Sequence, residues 1–165
     1  MLEQSELAQG VQQDVVPARA ARSLTLRLLV IDDDNLHRMI ICRAAAKAGY
    51  MPAGAASYED AAQLVQNTAF DCITLDLSLG DHVGDEMLRH LWVIGCKAPI
   101  IIISGCDDAT CSDTEKVAAS LKLNIWESIP KPVDLSTLRD SLERLKAACD
   151  EPPMDEIAAP QISPV

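Results

Sequence analysis

The chain has 165 residues, of which 48% are hydrophobic, 24% charged and 3% aromatic, with 25 acids against 14 bases and a net charge of −11. That length suits one domain, and the apolar share supports a sizeable core and is too high for a wholly disordered chain. No apolar run approaches the roughly 18 residues of a membrane-spanning helix, and so acidic a chain repels phosphate backbones, which argues against a generic nucleic-acid binder.

The N-terminus carries neither a basic leader nor an apolar h-region, which points to a cytoplasmic protein. Six cysteines (Cys42, Cys72, Cys96, Cys106, Cys111 and Cys149) form no CxxC pair and no zinc-finger spacing. They read as cytosolic thiols serving as small buried hydrophobes. Residues 1–23 and the Pro-rich residues 148–165 read as flexible tails flanking a core at 24–147. The tails carry 7 acids and 2 bases, so the core, with 18 acids and 12 bases, is only mildly acidic.

The core alternates strand-like and helix-like segments. Leu26–Ile31 is a short apolar run ending abruptly in acids, as a buried parallel strand does. Leu36–Ala48 then places Leu36, Met39, Ile40 and Ala44 on one helical face and stops at Gly49, a C-terminal cap. Tyr50–Ala55 is a weaker strand, and Ser57 with Asp60 three residues on predicts the N-cap of a helix reaching about Asn67. Cys72–Leu75 is the next strand, ending at Asp76; a loop at Ser78–Val83 and a helix at Gly84–Ile94 follow.

Pro99–Ser104 is the clearest strand of the chain. A helix within Thr110–Leu121, a strand at Ile125–Ile129 and a last helix capped by Asp134 complete the series. In that last helix Leu135, Leu138, Leu142 and Leu145 form the buried stripe. Five strands alternating with five helices predict an α/β fold, a parallel sheet covered on both faces. Ligands of such sheets bind at the carboxyl ends of the strands.

Those ends carry Asp32-Asp33-Asp34, Asp76, Ser104 and Lys131. Clustered carboxylates repel one another unless a cation neutralises them, and hard oxygen ligands suit Mg²⁺. A lysine and a hydroxyl on the same rim offer a phosphoryl group charge compensation and a directed hydrogen bond. Asp76 is then a candidate nucleophile forming an acyl phosphate. No Gly-rich phosphate loop is present, so a nucleotide substrate is not indicated.

In this order the motifs LLVIDDDNLHR at 28–38, ITLDLSLGDHVGDEML at 73–88, PIIIISG at 99–105 and IPKPVDLSTL at 129–138 resemble the receiver domain of two-component response regulators, over about residues 24–147. The resemblance implies a doubly wound, flavodoxin-like five-stranded sheet. It implies Asp76 as phosphoacceptor, Asp32 and Asp33 with Asp76 as Mg²⁺ ligands, and Ser78 completing the metal shell through its carbonyl. Ser104 and Gly105 become the phosphate-binding hydroxyl and its small neighbour, and Lys131 the phosphoryl-pairing lysine. A histidine kinase, a histidine phosphotransfer protein or a small phosphodonor supplies the phosphoryl group. The family often dimerises through its helix 4, strand 5 and helix 5 face.

Three departures from the family pattern stand out. Gly80 replaces the usual proline four residues after the phosphoacceptor, and Ser128 replaces the aromatic switch residue. Trp126 shares the sheet face of Ser128 if that stretch is regular strand. Ser104 and Lys131 are 27 residues apart, several more than usual, and the added length falls in GCDDATCSDTEK. His37, His82 and His90 are scattered and read as surface or helix residues.

The expected function is that of a stand-alone receiver, a phosphoacceptor rather than an enzyme, acting through protein contacts or as a phosphoryl relay or sink. Two alternatives are a phosphorylation-independent adaptor with the same fold and a haloacid dehalogenase-type phosphohydrolase. For the latter, Asp32, Asp34 and Leu36 match the DxDx[TV] signature only in part, and no cap domain fits.

Overall fold

The computed structural model describes residues 25–79, 82–105 and 116–150. The tail expectations for 1–23 and beyond residue 150, and those for Gly80 and for residues 106–115, lie outside the described residues. In chain order the elements are β1 (Leu26–Ile31), α1 (Asn35–Lys47), β2 (Tyr50–Ala55), α2 (Tyr58–Asn67), β3 (Cys72–Asp76), β4 (Ser78–Leu79), β5 (His82–Val83) and α3 (Gly84–Val93). They continue with β6 (Ile100–Ser104), α4 (helical residues 116–120), β7 (Ile125–Pro130) and α5 (Leu135–Asp150).

The main sheet is five-stranded in the order β2-β1-β3-β6-β7, with every neighbouring pair parallel. Inside it, β3 and β6 are buried along their whole length. This explains their unbroken apolar runs, because helices cover both faces of a parallel sheet. On one face Leu28, Val30, Ile101 and Ile103 pack with Ile41, Ala44 and Ala45 of α1 and Leu138, Leu142 and Leu145 of α5. On the other, Leu29, Ile31, Ile73, Leu75 and Ile102 pack with Ala61 of α2, Met87, Leu88 and Leu91 of α3, and Ala118 of α4. Full burial of each such Ile or Leu side chain is worth about 1.5–3 kcal/mol.

The helix ends follow local chemistry. Asp34 caps α1 by accepting the His37 backbone N–H at 2.8 Å, and Ser57 caps α2 by accepting that of Asp60 at 3.1 Å. Asp134 caps α5, accepting the N–H groups of Ser136 and Thr137 at 2.7 and 3.1 Å. Gly49, just past α1, sits at φ +87°, the left-handed conformation that ends helices and that glycine adopts without a side-chain clash.

The structure corrects four details. The buried face of α1 is Ile41, Ala44 and Ala45, continued by the C-cap Ala48, whereas Leu36 is 60% exposed and Met39 also faces solvent. Leu135 likewise drops out of the α5 stripe and is exposed. In each helix the side that meets the sheet lies elsewhere, at Ile41, Ala44 and Ala45 in α1 and at Leu138, Leu142 and Leu145 in α5. The segment Ser78–Val83 is not wholly loop, since Ser78–Leu79 and His82–Val83 pair as a two-residue antiparallel ladder.

The fourth correction concerns Trp126. The β6–β7 register jumps from Ile100↔Ile125 to Ile101↔Glu127, a bulge that absorbs Trp126. Trp126 therefore packs with Ile129 on the α1/α5 face, while Ser128 is in register with Ile102, a residue of the opposite face. The two do not share a side of the sheet.

Candidate functional site

In the strand order, β1 is flanked by β2 on one side and β3 on the other, so the direction in which successive strands are added to the parallel sheet reverses between β1 and β3. The crevice outside the carboxyl ends of these strands is where such sheets bind ligands. Asp32 follows the last residue of β1, Asp76 is the last of β3, Ser104 the last of β6, and Lys131 follows β7. Backbone hydrogen bonds between the strand ends lock this rim. Leu77 N–H donates to the Ile103 carbonyl at 3.2 Å, and Lys131 N–H to the Ser104 carbonyl at 2.8 Å.

The side chains converge. Lys131 Nζ lies 2.6 Å from Asp76 Oδ2 and 3.8 Å from Asp32 Oδ2. One carboxylate oxygen from each of Asp32, Asp33 and Asp76 lies within 4.8 Å of the others. Asp32 and Asp76 are each only 1% exposed, whereas Asp33 is open to solvent. Burial would lower the Lys131 pKa, but its hydrogen bond to Asp76 and the charges of Asp76, Asp32 and Asp33 outweigh that and hold it above 10.5.

Three carboxyl groups share this partly dry pocket with one lysine. The donor set is all hard oxygen, so the residues present fit a small divalent cation. Asp76 Oδ1 also accepts the Ser78 backbone N–H at 3.0 Å, which turns the chain just after β3. Gly105 lies against the aliphatic stem of Lys131, where an added Cβ would meet Lys131 Cβ at 3.5 Å. Ser104 is buried at the same rim. Asp34 stands apart from the cluster as an exposed N-cap, its pKa lowered chiefly by the hydrogen bond from His37 N–H.

All the rim residues singled out in the sequence thus lie at one edge of the sheet. Two neighbours of the acidic cluster were missed. His37 Nδ1 is hydrogen-bonded to Asp32 Oδ2. Arg38 Nη1 donates to the Asp32 carbonyl at 2.6 Å, and its stem lies where a side chain on Gly54 would sit, 3.1 Å from Arg38 Cδ. The usable signal was their position in the first turn of a helix that starts three residues after Asp32.

Residues 28–143 match the family model of the response regulator receiver domain. The chain belongs to this family. The transcriptional regulatory protein ZraR of Salmonella typhimurium is 28% identical over 120 residues, 73% of this chain and 26% of ZraR. The chain thus spans about a quarter of that relative's length. Among solved structures, a response regulator from Colwellia psychrerythraea superposes with a TM-score of 0.67 at 28% identity, covering 76% of this chain and 99% of that one. A response regulator protein from Burkholderia pseudomallei, solved with a phosphorylated aspartic acid, a calcium ion and citrate, shares the fold at a TM-score of 0.61 and 23% identity. That match covers 75% of this receiver and 70% of the other chain.

Proposed function

We propose that this receiver is a Mg²⁺-dependent phosphorylation switch with Asp76 as its phosphoacceptor. The observation that carries the reading is the Asp76 carboxylate itself, buried at the end of the central strand, 2.6 Å from Lys131 Nζ and grouped with Asp32 and Asp33. An Asp76 oxygen attacks the phosphorus of a phosphohistidine or of acetyl phosphate. The P–N or P–O bond breaks, its electron pair leaves with the imidazole or acetate, and a C–O–P anhydride forms on Asp76. Lys131 pairs with the transferred group in place of the carboxylate oxygen that now carries phosphorus. The Ser104 hydroxyl donates to a phosphoryl oxygen, and Gly105 leaves the rim open beside Lys131.

Asp32, Asp33, Asp76 and the Ser78 carbonyl hold the Mg²⁺, which when bound neutralises the charge of the acids and of the arriving phosphoryl group. The phosphodonor is a histidine kinase or a histidine phosphotransfer protein. The output is a change in protein contacts or onward relay of the phosphoryl group, with the face formed by α4, β7 and α5 meeting a target or a second copy. The protein turns over no substrate other than its own phosphoryl group.

Intact-mass spectrometry after incubation with acetyl phosphate, with and without Mg²⁺, tests this. Wild type gains about 80 Da, one phosphoryl group, only with Mg²⁺, and Asp76→Asn gains none. No adduct with acetyl phosphate or with any phosphorylated histidine donor would instead make the domain a phosphorylation-independent adaptor.

A further inference from the structure

Both carboxylate oxygens of Asp32 are held by residues of its own chain segment. Its Oδ1 accepts the Asp34 backbone N–H at 2.9 Å, and its Oδ2 is hydrogen-bonded to His37 Nδ1. The His37 ring is 21% exposed, and its Nε2 is buried with no hydrogen-bond partner among the described residues. An imidazole carrying its proton on Nδ1 satisfies the carboxylate and buries only a lone pair at Nε2. A buried, unpartnered N–H would cost more. The helix start sets this geometry, because Asp34 accepts the His37 N–H at 2.8 Å and so fixes the turn that brings the ring back to Asp32.

We propose that His37 is a positioning residue for the cation site, its Nδ1–H holding the Asp32 carboxylate in the orientation in which it meets Asp33 and Asp76. The inference rests on the metal reading above. A carboxylate already oriented by hydrogen bonds loses less freedom when it ligates, and such supporting contacts commonly set metal affinity. Arg38, the next residue, holds the Asp32 carbonyl, so main chain and side chain of one acid are both clamped by consecutive residues of α1.

Free Mn²⁺, counted by electron paramagnetic resonance during titration of the full chain, gives the test, with Mn²⁺ as a hard-cation probe. His37→Leu removes the donor and His37→Asn keeps an N–H at the same distance from the backbone. We expect about 10-fold weaker binding for His37→Leu and near-wild-type affinity for His37→Asn, with metal-free melting curves showing both folded. Unchanged affinity in His37→Leu overturns the proposal. So does equal loss in both variants, which would assign the effect to helix packing rather than to the hydrogen bond. A wild type that binds no Mn²⁺, indistinguishable from Asp33→Ala, overturns the metal reading itself and the proposal with it.

Discussion

Lys131 Nζ is 2.6 Å from Asp76 Oδ2 although 55 residues separate the two in the chain. The contact exists because β3 and β7 both end at one rim, with β6 between them. Lys131 is the cation that pairs with both Asp76 and Asp32 at this rim.

Lys131→Met therefore leaves three carboxylates without their ammonium. We expect a loss of about 1–3 kcal/mol in urea unfolding under EDTA, below the cost of breaking a fully buried pair because the ammonium is partly open to water. Mg²⁺ should raise the melting temperature of the variant more than that of wild type. The pH dependence follows from the raised Lys131 pKa. The contribution of the pair is fully present below 10.5 and is lost as pH rises through the higher folded value, so wild type and variant converge in strong alkali.

Gly84, the first residue of α3, touches the segment that follows Asp76. Its N–H donates to the Leu77 carbonyl at 3.2 Å, and a Cβ there would lie 2.7 Å from Leu77 Cδ2 and 3.0 Å from Leu77 Cα. Leu77 is buried in the core, so both its side chain and its backbone must give way. Gly84→Ala should cost about 1–3 kcal/mol by urea unfolding, and unchanged stability would mean that the β3–α3 connection yields freely.

The acid side of the stability curve tests the cap of α5. The Asp134 pKa is lowered by hydrogen bonds from the Ser136 hydroxyl and from the N–H groups of Thr137 and Ser136. A depressed carboxylate stabilises the fold above its unfolded value of 3.8, and that contribution is lost as pH falls through the lower folded value. Asp134→Ala should melt at a lower temperature than wild type at pH 7, with the gap narrowing as the pH drops below 3.8. A gap independent of pH would remove the charge from the explanation.

The bulge at Trp126 has an optical consequence. Trp126 is half-buried on the α1/α5 face, whereas Trp92 on α3 is 54% exposed. In single-tryptophan variants, acrylamide should quench Trp92 more steeply than Trp126, and Trp126 should emit at shorter wavelength. Equal quenching would place Trp126 at the surface and contradict the register jump.

Much of this arrangement was legible in the chain itself. Apolar runs that stop at Asp32, Asp76 and Ser104 mark buried parallel strands and the edge at which they end, because a strand covered on both faces tolerates a polar group only where it emerges. Asp34, Ser57 and Asp134 announce helix starts, since each satisfies N–H groups that the helix leaves open.

What the chain could not disclose depended on neighbours in space. The phase of α1 was misread because Leu36 and Met39 have the right spacing for burial, yet the side that meets the sheet is that of Ile41, Ala44 and Ala45. The side of the sheet that Trp126 faces hangs on cross-strand register, which a bulge shifts by one residue and which no periodicity within β7 reveals. The same holds for His37. Its spacing from Asp32 is visible in the sequence, but only the turn set by Asp34, together with Lys131 arriving from β7, makes it part of the acidic rim. Local sequence determines where strands and helices begin and end, because caps and burial act over a few residues. Tertiary structure decides which charges meet, because pairing residues as distant as Asp76 and Lys131 requires the whole sheet to assemble.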